Sequence, residues 1–214
     1  MTLLSWLRPQ KIKASKREII LQILLVFIVP VLLLQVGVIP ISWRIPALVV
    51  AVSIFFFILV RERWTLKMMH IETKNLRKFA WPYIIFTIVS VIAISFFGEQ
   101  IGHEEFSHWW TNKHFIYLFL VVSIFQEVAY RGYLIPALKK LLGVPFLIIL
   151  VNALIFAYMH SIFGNLQINL TVAFIGGLGF AIMYLKYPNL ILITLSHAVL
   201  NFAVVLYGFF TILK

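Results

Sequence analysis

Seven apolar runs divide this chain and leave little else to fold. They cover about 19–41, 46–60, 81–98, 115–138, 144–163, 168–186 and 189–211 of its 214 residues. A membrane-spanning helix needs about 20 predominantly apolar residues, so seven spans and short connections use up the length. Inside a bilayer every backbone polar group must be satisfied within the protein, which a helix does by itself. Soluble chains run about 45–50% apolar and about 25% charged; here 63% of residues are hydrophobic and only 12% are charged. The expected fold is all-α, a polytopic transmembrane helix bundle forming a single integral membrane domain over 1–214. Pro30 is expected to kink the first span, Pro46 blurs the start of the second, and Trp81-Pro82-Tyr83 opens the third.

The basic residues orient the bundle. Arg8, Lys11, Lys13, Lys16 and Arg17 form an N-terminal arm over 1–18, and six more lie in the 61–80 connection. With Lys139, Lys140 and Lys186, 14 lysines and arginines fall on one side and 3 (Arg44, Lys113, Lys214) on the other, Arg131 being inside a span. The positive-inside rule then makes the N-terminus cytoplasmic and the C-terminus external. The net charge of +11 faces an anionic inner leaflet, so the bilayer is the expected partner and nucleic acid is not. The first apolar run is too long for a signal-peptide core and no A-x-A-like site follows it; it reads as an uncleaved helix. Segment 61–80 mixes apolar and basic residues and is expected either to lie in the interface as an amphipathic helix or to be a solvated loop. There is no cysteine, hence no disulfide, thiolate site or cysteine nucleophile.

Glu127 is the only acidic residue in any of the seven apolar runs. An unpaired charge at the bilayer centre costs roughly 2.5–3.5 kcal/mol on insertion scales, and such a residue is a functional candidate by default. It lies in Gln126-Glu127-Val128-Ala129-Tyr130-Arg131, with Arg131 at i+4 on the same helix face. In the fifth run Asn152, Phe156 and His160 share a stripe. In the seventh, His197 and Asn201 are at i, i+4, with Thr194 three residues before the histidine. Gly176, Gly177 and Gly179 in the sixth run are expected to let backbones approach closely. Each set has a structural alternative: an ion pair facing the bundle, an interfacial histidine, or interhelical hydrogen-bond glue. Taken together, one carboxylate, two histidines and a carboxamide supply a base for water and donors for an oxyanion. In contrast, His103-Glu104-Glu105-Phe106-Ser107-His108 spaces its histidines at i, i+5, whereas a zinc-protease helix needs i, i+4; no metal site is expected there.

The three motifs, in this order, resemble those of the CPBP family of intramembrane proteases, which includes CAAX proteases and bacteriocin-processing enzymes. That pattern is E-E-x-x-x-R, then F-x-x-x-H, then H-x-x-x-N or D. It is matched by Glu127 with Arg131-Gly132, by Phe156 with His160, and by His197 with Asn201, over about 120–205. The resemblance implies an intramembrane endopeptidase acting on a peptide or membrane-protein substrate, with its catalytic helices over 115–211. Glu127 and His160 would activate water, His197 and Asn201 would stabilise the oxyanion, and Arg131 would orient the carboxylate. It is compatible with no cofactor, or with one zinc ion on His160, His197 and Glu127. The expected location is a bacterial plasma membrane.

The sequence departs from the pattern at Gln126, where the family has its first glutamate. Either Glu127 serves instead, or the chemistry is altered, or the chain is an inactive relative serving as a membrane scaffold or regulator, or a glutamate has been replaced by design. Adjacent helical residues point about 100° apart, so Glu127 cannot take over that position without local adjustment. A small transporter with these residues along its pathway is the remaining alternative.

Overall fold

The structure, a computed structural model, describes residues 12–100, 113–162, 166–207 and 209. Among these residues the regular elements are all helices and there is no strand, as expected. Helix α1 runs Lys16–Gln35, α2 Ile41–Arg61, α3 Leu76–Gln100, α5 Pro145–Ile162 and α6 Leu166–Lys186. All five are long and apolar enough to cross a membrane, and α7, Leu190–Leu206, is a shorter apolar helix. The remaining helix, α4 over 113–142, is built of three pieces: Lys113–Glu127 is α-helical, Val128–Leu134 is π-helical and Ile135–Leu142 is α-helical again. The chain is an integral membrane protein. The segment 103–108 lies outside the described residues.

Several boundaries differ from the apolar runs. Helix α1 starts at Lys16 because Ser15 and Glu18 form a capping box: the Ser15 hydroxyl accepts from the Glu18 N–H, and the Glu18 carboxylate accepts from the Ser15 N–H. It ends at Gln35, six residues before the expected end, and Gly37 then adopts φ +76°, a left-handed conformation that glycine takes at no steric cost. Helices α1 and α3 run past their apolar stretches, so Glu18 and Glu99 lie in terminal turns.

Two π-helical turns share one cause. Leu24–Ile28 precedes Pro30, and Val128–Leu134 precedes Pro136. Proline lacks the N–H for an i→i−4 bond and its ring crowds the carbonyl of residue i−4. The chain widens instead: Val29 N–H reaches the Leu24 carbonyl and Ile135 N–H reaches that of Tyr130. At Pro30, where a kink is expected, the structure has a π turn.

Residues 62–75 do not form an interfacial helix; they are a connection that keeps Arg63, Lys67 and Lys74 exposed, as a solvated loop does, while burying Met69. They form turns, with Arg63 at φ 57° and His70 at φ 51°, and fold under the helix ends. The Tyr184 hydroxyl donates to the Met69 carbonyl at 2.9 Å, and Asn189 Nδ2 donates to that of Glu72 at 2.9 Å. The Leu190 N–H meets the His70 carbonyl at 3.0 Å, and the Trp64 ring packs 5.1 Å from Tyr133. Tertiary hydrogen bonds therefore win over amphipathic patterning here.

The broadest helix pairings are α5 with α6, α4 with α7, and α3 with α7. Gly177 sets the first: a Cβ there would lie 3.0 Å from the Ala153 Cα. Gly179 approaches the Phe86 ring, whereas Gly176 has only Phe180 of its own helix nearby, at 3.8 Å. These pairings put α4, α5, α6 and α7 around one buried centre.

Candidate active site

Helix α4 brings Ser123 and Glu127 to that centre on one face, four residues apart. Both are fully buried, as is Arg131. Glu127 Oε1 accepts from Arg131 Nη1 at 2.9 Å and from His197 Nδ1 of α7 at 2.6 Å. The carboxylate thus holds a guanidinium on its own helix and an imidazole on another. Its second oxygen, Oε2, is buried without a hydrogen-bond partner.

Arg131 is enclosed by rings as well as by charge. Its guanidinium carbon lies 4.7 Å from the Phe156 ring centre, 5.0 Å from Phe180 and 5.8 Å from Tyr130. Cation–π attraction is strongest when such a cation is desolvated. Nη2 adds a long contact of 3.4 Å to the Gly177 carbonyl, which the close approach of α6 makes available.

The two histidines meet the same aromatic ring. Phe156 lies 4.7 Å from His160 and 5.6 Å from His197, centre to centre. His160 begins the 3₁₀ turn that ends α5 and is only 6% exposed, so it is not an interfacial side chain. Its Nδ1 lies 2.8 Å from the Phe156 carbonyl. A carbonyl and a carboxylate only accept, so each Nδ1 holds a proton: that of His160 toward Phe156, that of His197 toward Glu127. In each neutral ring the lone pair is then on Nε2.

Asn201 joins through a residue the motifs do not contain. Its Nδ2 donates to the Ser123 hydroxyl at 3.0 Å. The signal for Ser123 was present in the sequence: it stands at i−4 from Glu127, on the same face. Phe180 and the Gly177 carbonyl were likewise unread, because they act through tertiary proximity. Asn152 belongs to the scaffold, its Nδ2 donating to the Tyr130 carbonyl at 2.9 Å inside the π segment. Thr194 is buried on α7.

Gln126 and Glu127 divide sharply. Glu127 faces the centre and is bonded twice, while Gln126 is partly buried with a partnerless Oε1. The π segment that follows Glu127 alters the phase of α4 between Glu127 and the rest of the helix, a local irregularity frequent at functional sites.

The donor set falls short of a three-ligand zinc site. Both histidines are in the tautomer that metal ligation uses, with Nδ1–H on a carbonyl or carboxylate. Yet among the described residues no group of three or more His, Cys, Asp or Glu side chains is placed to hold a metal ion, and Glu127 Oε1 is taken by Arg131 and His197. His160, His197 and Glu127 as placed do not form that ligand set.

Residues 108–203 match the family described as Type II CAAX prenyl endopeptidase Rce1-like. The stretch contains Glu127, Arg131, Phe156, His160, His197 and Asn201, so the resemblance carried by the three motifs holds over it. No curated protein and no solved structure matches the chain at a significant level.

Proposed function

We propose that this chain is an intramembrane endopeptidase that hydrolyses a peptide bond with an activated water. One observation carries the mechanism: His197 Nδ1 on the buried Glu127 carboxylate at 2.6 Å. A carboxylate that fixes the Nδ1–H tautomer leaves Nε2 as a proton acceptor and stabilises the imidazolium that forms, the logic of the carboxylate–histidine pair in hydrolases. Arg131 pairs with the same carboxylate oxygen at 2.9 Å and balances its charge.

His160 is turned the same way. We assign the attacking water to the Nε2 acceptors of His160 and His197, whose rings both lie against Phe156. The water oxygen attacks the scissile carbonyl carbon while one imidazole takes its proton. Collapse of the tetrahedral intermediate breaks the C–N bond, and that proton passes to the leaving amine. Asn201 has a second N–H beyond the one given to Ser123, and we assign it to the oxyanion. Glu127 then orients His197 and does not itself touch the water.

The family match supports a membrane-associated peptide as substrate, and a prenylated peptide ending in a Cys-a-a-X sequence is the first probe. The purified protein in liposomes should cleave it at a single amide bond, read by mass spectrometry, and His160→Ala should not. Equal cleavage by His160→Ala and the wild type would remove His160 from the mechanism.

A second reading rests on Gln126. Without a carboxylate at that position, and with Glu127 Oε1 committed to Arg131 and His197, the fold serves as a non-catalytic membrane scaffold. Binding of the probe without cleavage, in the wild type and in Gln126→Glu alike, selects this reading.

A further inference from the structure

A crevice of about 400 Å³ opens between α1, the end of α4 and α5, away from the buried centre. Ligand sites commonly measure about 300–1,000 Å³. Its walls are aliphatic, and Lys16 is the one charged residue that lines it.

The three helices agree on which end is which. On α1 the lining runs from Lys16 through Ile20 to Leu24, eight residues or about 12 Å along the axis. On α4 it runs back from Leu142, the last helical residue, to Leu138. On α5 it reaches Ile155, ten residues from the Pro145 start, about 15 Å. Lys16 opens α1, Leu142 closes α4 and Pro145 opens α5, so the three lie at one end of the bundle. The crevice is therefore cationic at the membrane surface and purely apolar over the next turns.

The mouth is built. Lys140 Nζ donates to the carbonyls of Ile12 at 2.9 Å and Ala14 at 2.6 Å. These bonds tie the segment before α1 to the end of α4, where Lys16 lines the crevice and the exposed Lys13 and Arg17 flank it along the chain. The nearby acid, Glu18, accepts from the Ser15 N–H at 2.7 Å and keeps its charge, so Lys13, Lys16 and Arg17 stand as three cations against one anion.

We propose that this crevice binds an anionic glycerophospholipid, one acyl chain along the aliphatic wall and the phosphate at Lys16. A basic pocket between helices at the cytoplasmic surface is suited to an anionic headgroup, and a bilayer supplies an acyl chain at that depth. The proposal is independent of any peptidase activity.

The experiment is native mass spectrometry of the purified full chain offered equal phosphatidylglycerol and phosphatidylcholine. The wild type should retain phosphatidylglycerol at least about fivefold over phosphatidylcholine, the weight of one lysine near an anionic surface. Lys16→Gln should lower that preference about fivefold, and it leaves the Ser15–Glu18 capping box in place. Leu24→Trp, at a position 43% exposed, should fill the crevice and reduce retention of both lipids. Equal retention of the two lipids by the wild type, an unchanged preference in Lys16→Gln, or unchanged occupancy in Leu24→Trp would each overturn the proposal. So would displacement of the phospholipid by the prenylated peptide, which would assign the crevice to substrate.

Discussion

Glu127 and His197 are 70 residues apart in sequence and 2.6 Å apart in space. The bond joins α4 to α7, and the same carboxylate oxygen holds Arg131. A charge that is costly in a bilayer is thereby paired twice, and a histidine is fixed in one tautomer. Stability and chemistry consequently depend on the same atoms, and variants must separate the two.

Breaking the ion pair should expose the stability component. Glu127→Ala leaves Arg131 buried and uncompensated, a situation that costs about 3–5 kcal/mol. Replacing both partners with apolar residues, Glu127→Leu with Arg131→Met, should recover much of that loss, since a buried pair is often no more stable than an apolar pair of similar volume. Thermal unfolding in detergent of the two variants checks this; a double variant as unstable as the single one would contradict it.

Gln126→Glu restores the carboxylate of the family pattern beside Glu127. A positioned general base contributes about 10²–10⁴ in rate, so peptide cleavage should rise by about tenfold or more. The comparison is made at equal protein in the same liposomes. An unchanged rate in an active protein would show that a carboxylate at position 126 adds nothing to the water activation assigned to His160 and His197.

Gly177→Ala probes how α6 is brought to the centre. The new Cβ would lie 3.0 Å from the Ala153 Cα, a backbone atom that cannot swing aside. The cost should be about 1–3 kcal/mol, typical of overpacking, and the Arg131–Gly177 contact should be lost with it. Gly176→Ala, with only the Phe180 ring at 3.8 Å, is the control expected to retain wild-type melting.

Stability should fall in mild acid through His70, in the connection before α3. Burial holds its pKa below the ordinary 6.5, Lys139 adds to this, and Glu72 opposes it. The unfolded chain then binds the proton more readily than the folded one. The His70 contribution is therefore fully present above the ordinary pKa and is lost as pH falls through about 6.5 toward the lower folded value. His70→Asn removes the titration and keeps a residue that tolerates φ 51°. Melting followed from pH 8 to about pH 5 should show a shallower decline in this variant than in the wild type.

The apolar runs made all seven helices legible, because only a helix satisfies a long lipid-exposed backbone. Two local signals in the sequence went unread: the Ser15–Glu18 capping box that starts α1 at Lys16, and Pro136, which explains the π turn after Glu127. The motif residues were legible by spacing, since i, i+4 pairs share a face. What spacing does not contain is how helices rotate against one another. That rotation selects Glu127 over Gln126 for the buried face, places Phe156 against both histidines and brings Ser123 to Asn201. The 62–75 turns were illegible for a related reason: left-handed His70 is held by contacts with α6 and α7, and charge patterning alone suggested only helix or loop.

The most direct test is the turnover of the prenylated reporter peptide by the wild type and by His197→Ala in the same liposomes, with folding confirmed by melting. A fall of about 10²–10⁴ is expected when a general base is removed. Wild-type turnover in a folded His197→Ala protein would contradict the assignment of the Glu127–His197 pair to catalysis.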